Sequence, residues 1–100
     1  MPEEKDSKKK AYEEKLEAEM NEINAKIDVL KAKAAKAKSE GKADYYETIE
    51  NLEQKKEVVR SKMNQLKDSS GEAWEEIKAG AEKAWSELSD SVKSAVSKFK

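Results

Sequence analysis

The larger apolar residues of the first half of the chain, followed by alanines, recur at alternating steps of three and four. They are Leu16, Met20, Ile23, Ile27, Leu30, Ala34 and Ala37. This is the a/d spacing of a coiled-coil helix. It predicts a first helix that begins between Asp6 and Tyr12 and ends near Lys38, with Gly41 as its left-handed C-terminal cap.

A second stretch repeats the pattern. Its positions are Tyr45, Ile49, Leu52, Lys56, Val59, Met63 and Leu66. Asp44, with Glu47 three residues later, has the spacing of an N-terminal capping box. We therefore expect a second helix to start at Asp44, after a turn at 39–43.

The two stripes fit each other as an antiparallel hairpin, in which the numbers of facing residues add up to a constant. Leu30 with Leu52 gives 82, and every other layer gives 82 or 83. In one layer Ile27 faces Lys56. This lysine either extends its ammonium group toward Asp28 or a glutamate, or marks where another chain or helix supplies a polar partner.

Residues 71–99 follow a period of eleven instead of seven. Trp74 stacks over Trp85, and Ile77 over Leu88 and Phe99. Because eleven residues make three turns of a nearly straight helix, the apolar side chains form one broad face along the helix axis. The full predicted face is Trp74, Ile77, Ala81, Trp85, Leu88, Val92, Val96 and Phe99.

The junction between the second and third stretches decides the architecture. Ser69 or Ser70 offers an N-cap and Gly71 weakens a continuous helix, which predicts a break at 68–71. We expect an all-α three-helix bundle with a charged, flexible segment at 1–10, a coiled-coil hairpin at 11–68 and an amphipathic helix at 69–100. The alternative is one continuous rod from the second helix into the third, paired as a dimeric coiled coil.

Composition supports long helices and argues against several functions. Charged residues make up 43% of the chain, yet the net charge is only −1 and no basic stripe appears along the sequence, so nucleic acid is not an expected partner. No apolar run is long enough for a membrane span, and the first ten residues lack the apolar stretch of a secretory signal. We expect a cytoplasmic protein.

The residue types for common catalysis are missing. The chain has no His and no Cys, which removes the usual general base, nucleophile partners and metal ligands. Its three glycines are isolated and form no phosphate-binding loop. We predict no enzymatic activity, no cofactor, no metal and no small-molecule substrate.

The eleven-residue repeat resembles the amphipathic repeats of exchangeable apolipoproteins and, less closely, those of late-embryogenesis-abundant stress proteins. It lacks the proline between repeats and most of the leucines of the apolipoproteins. The whole chain resembles short uncharacterised bacterial coiled-coil proteins whose tails read Ser-Ser-Gly-Glu-Ala-Trp-Glu, as at 69–75, followed by a second Ala-Trp, as at Ala84 and Trp85. The apolipoprotein resemblance implies adsorption to lipid, and the stress-protein resemblance implies a protective role.

Three functions follow as hypotheses. The chain is expected to be a non-catalytic helical interaction or scaffold protein, stress-related in one version, that associates with itself or with a protein partner. The alternative is reversible binding to a lipid or membrane surface through 71–99. A third and more distant hypothesis is an enzyme subunit whose chemistry lies on a partner.

Overall fold

A computed structural model describes residues 2–99, with side chains from Ser7 onward, as three α-helices. They are α1 (Pro2–Lys36), α2 (Ser39–Asp68) and α3 (Gly71–Lys98). They pack side by side in a body of 57 × 18 × 18 Å. The predicted all-α three-helix bundle is confirmed. Met1 and Lys100, the outer ends of the predicted terminal segments, lie outside the described residues.

The first connection is shorter than predicted and lies earlier in the chain. Only Ala37 and Lys38 separate α1 from α2, so the turn at 39–43 and the helix start at Asp44 are wrong. Gly41 is not left-handed, and its N–H donates to Lys38 O at 2.9 Å within the first turn of α2. Glu40 in that turn suits the positive end of the helix dipole, which helps α2 to begin early.

The start of α1 also differs from the prediction. The helix begins at Pro2 rather than between Asp6 and Tyr12. Proline is suited to a first helical position because its φ is already helical. It also lacks an N–H, and an N–H at that position would have no acceptor within the helix.

The second connection confirms the predicted break at 68–71. Between α2 and α3 the chain passes through Ser69 and Ser70, and Gly71 has a φ of +61°. That left-handed value is strained for any residue with a Cβ. The Nζ of Lys9 links α1 to this connection, since it donates to Ser69 O at 2.6 Å and to Lys67 O at 3.3 Å. The continuous rod is therefore excluded in this structure.

The seam of the hairpin lies in the core. All fourteen predicted seam residues are buried or half-buried, and Ile27, Leu30, Leu52, Val59 and Leu66 are at most 1% exposed. The α3 helix then closes the open side of the hairpin with Leu88, Val92 and Ala95. The core therefore runs between all three helices.

Candidate interaction surfaces

The apolar face predicted for 71–99 packs against the hairpin. Seven of its eight residues are buried or half-buried, while Val96 is 40% exposed. Ala95, which is 3% exposed, takes that place in the core. A helix with 3.6 residues per turn rotates about 20° for every eleven residues. By the third repeat this rotation moves Val96 outward and Ala95 inward.

Aromatic contacts hold α3 at both ends. Near the turn, the rings of Tyr45 and Phe99 stack with centroids 3.9 Å apart. At the other end, the rings of Tyr12 and Trp74 meet edge to face at 5.8 Å, and the Lys78 ammonium lies 5.1 Å and 5.5 Å from their centroids. Such contacts stabilise the bundle beyond what burial of the rings contributes.

The cluster of Tyr12, Trp74 and Lys78 has two unusual polar groups. Burial raises the pKa of Tyr12 to about 12, and the charges of Glu82 and Glu19 add to the effect. The indole Nε1 of Trp74 is buried and has no hydrogen-bond acceptor among the described residues. The neutral phenol is therefore favoured, and one N–H is left without the partner that buried indoles usually have.

Lys56 turns toward a glutamate, as one of the sequence-based alternatives proposed. Its side chain is 13% exposed, and its Nζ lies 2.8 Å from Glu53 Oε2. Lys31 of α1 approaches the other oxygen of Glu53 at 3.0 Å. The hydrogen bond from Lys56 is the main cause of a lowered pKa of Glu53; burial opposes this lowering, and Lys31 reinforces it. This carboxylate links the two helices of the hairpin.

An open, largely apolar groove lies between α1 and α3. It has a volume of ≈ 390 Å³ and is lined by Lys26, Val29, Leu30, Lys33, Val92, Lys93, Val96 and Ser97. Val29 is 55% exposed and Val96 is 40% exposed. No carboxylate lines the groove, and among residues 7–99 none of its three lysines forms an ion pair. We call it the lysine groove.

The outer surface of α2 has the opposite character. Between residues 39 and 65 its exposed side chains include five carboxylates and one cation, Arg60. The carboxylates are those of Glu40, Asp44, Glu47, Glu50 and Glu57. Two large apolar side chains, Tyr46 and Val58, are also more than half exposed there. We call this surface the acidic face.

Most lysines of α2 lie off the acidic face. Those between residues 39 and 65 are all half-buried. Lys55 donates to Ser91 Oγ of α3 at 2.6 Å, and the end of Lys62 lies beside Gly80. Arg60 approaches Glu57 at 3.5 Å, an exposed contact of little strength.

Neither surface was predicted from the sequence, because positive and negative residues alternate along the chain. They form separate patches only when the three helices pack together. Once α1 and α3 are known to be neighbours, the i, i+3 and i+7 spacing of Lys26, Val29 and Lys33 shows that they share one helix flank. The pairing of the helices had to be known first.

Comparisons with known proteins identify no relative: no family model, no curated protein and no solved structure matches the chain. No helix in residues 2–99 is long and apolar enough to cross a membrane. Among the side chains that the structure describes, those of residues 7–99, no group of three or more acidic residues could hold a metal ion.

Proposed function

We propose that this chain is a non-catalytic helical interaction protein that binds its partner through the lysine groove. The observation that supports it is the exposure of Val29 and Val96 beside three lysines, on a bundle whose other large apolar side chains are mostly buried. The proposal includes the cytoplasmic location expected from the sequence.

The chemistry of the groove specifies what it can bind. An apolar side chain placed between Val29 and Val96 would remove apolar surface from water. Carboxylates on either side of that side chain would meet the ammonium groups of Lys26, Lys33 and Lys93, which have long and adaptable stems. The favoured ligand is therefore an apolar group flanked by negative charges.

The apolar anion 8-anilinonaphthalene-1-sulfonate tests this preference directly. We expect its emission to rise on the folded protein and to fall in the variant Lys26→Gln, Lys33→Gln, Lys93→Gln. A matched variant, Lys10→Gln, Lys67→Gln, Lys83→Gln, removes the same charge at exposed positions outside the groove and should keep the signal. Equal emission from both variants, or none from the wild type, would contradict the proposed binding groove.

Reversible lipid binding through α3 is a second candidate function. It is favoured by the position of Lys78 and Lys98, whose ammonium groups lie over the rings of Trp74 and Phe99 at 5.5 Å and 5.2 Å. On a membrane surface the same lysines could reach the headgroups while the rings enter the interface. Because the hairpin covers the apolar face, α3 would first have to leave the bundle.

Vesicles of phosphatidylcholine and phosphatidylglycerol test the lipid candidate. If α3 inserts, vesicles with brominated acyl chains should quench Trp74 and Trp85, and matched vesicles without bromine should not. The helicity of the chain should be retained, since the helix exchanges one apolar surface for another. Tryptophan emission that is the same with both vesicles would rule out insertion.

A further inference from the structure

The lysine groove and the acidic face lie on opposite sides of the bundle. In a three-helix bundle, the groove between two helices is opposite the outward side of the third. The groove lies between α1 and α3, and the acidic face is the outward side of α2. Two surfaces of opposite charge therefore cannot meet within one molecule.

The two surfaces also lie at the same level along the bundle axis. The ion pair between Lys31 and Glu53 fixes that level, because α1 and α2 are antiparallel. One turn from Glu53 toward the connection, Glu50 lies level with Lys33. One turn in the other direction, Glu57 lies level with Lys26.

From this match we propose that the lysine groove binds the acidic face of a second copy of the same chain. The inference rests on the proposed function and names its partner. A neighbouring molecule displaced sideways, without rotation, brings its α2 into the groove. Glu50 then approaches Lys33, and Glu57 approaches Lys26.

The overall charge of the chain permits such stacking. Its net charge is −1, so copies repel each other only weakly, while the separated patches attract. Every copy has one groove and one acidic face, which makes the contact heterologous. Such contacts continue from copy to copy, so the assembly is an open row of rods and not a closed pair.

Two variants, each lacking one of the surfaces, test the inference. The groove variant is Lys26→Glu, Lys93→Glu, and the face variant is Glu50→Gln, Glu57→Gln. All four positions are exposed, so both variants should fold, which far-UV circular dichroism checks. Sedimentation equilibrium of the wild type should show a mass that rises with concentration and falls as NaCl increases from about 0.05 M to about 0.5 M.

The mixing experiment is specific to a heterologous contact. Each variant alone should be monomeric, with a self-association constant lowered about tenfold or more. An equimolar mixture should form one-to-one dimers that grow no further, because only the intact face of the groove variant fits the intact groove of the face variant.

Three results would overturn the inference: a monomeric wild type at all concentrations and salt levels, self-association of both variants, or a mixture that stays monomeric. Whether the groove binds apolar anions is measured separately, with the sulfonate probe. Emission of the sulfonate probe that still depends on the groove lysines would retain the proposed function with a different partner. Emission that does not depend on the groove lysines would contradict both the proposed function and the self-association.

Discussion

Replacing Leu30 or Leu52 by Ala should lower the free energy of unfolding by about 2–4 kcal/mol, the range for a buried leucine whose cavity closes only in part. Both side chains are 1% exposed and belong to the same core cluster. For a domain of this size the loss is a large share of the total stability. Urea unfolding followed by tryptophan emission measures it.

The double mutant tests the register of the hairpin as well as the burial. Since Leu30 and Leu52 are expected to face each other in one layer, the two losses should not add, and a coupling of about 0.5 kcal/mol or more is expected. The exposed valines Val29 and Val58 serve as controls, and Val→Ala there should cost less than about 0.5 kcal/mol. Losses below that value for both leucines would contradict the register.

The hairpin could be predicted from the sequence because its signal is long and repeated. A shift of one position would replace apolar layers such as Leu30 with Leu52 by charged ones, so few pairings compete. The α3 face was predicted for the same reason, and it fails only at Val96, where a small rotation per repeat has accumulated. Periodicity therefore predicts well which residues of a helix are buried. The prediction becomes less accurate with distance along the helix.

The helix ends and the charged surfaces could not be predicted in the same way. Gly41 and Asp44 resemble a C-terminal cap and an N-cap, yet they lie inside α2, because local capping preferences of about 1 kcal/mol yield to the packing of the whole helix. The lysine groove depends on which flanks of α1 and α3 are neighbours. That is a property of tertiary packing, and the order of charges along the chain does not contain it.

The second large effect is expected at Trp74, where the size of the ring and its N–H can be tested separately. Trp74→Ala should cost about 3–5 kcal/mol, because it removes a buried ring that contacts Tyr12 edge to face. Trp74→Phe should cost less than about 1.5 kcal/mol, since it keeps an aromatic ring and removes an N–H without an acceptor. Similar losses in the two variants would show that the indole N–H is paired after all.

Tyr12 reports the same change through its ionisation. Its pKa is raised from 10.0 to about 12, mainly by burial, so Trp74→Ala should lower that pKa toward 10 and Trp74→Phe should largely retain it. Since the folded-state pKa lies above the unfolded value, Tyr12 contributes stability below pH 10 that is lost as pH rises toward 12. Tyrosinate absorbance against pH, taken as the difference from Tyr12→Phe in each background, measures the shift. An unchanged Tyr12 pKa in Trp74→Ala would mean that Trp74 does not shield the phenol from water.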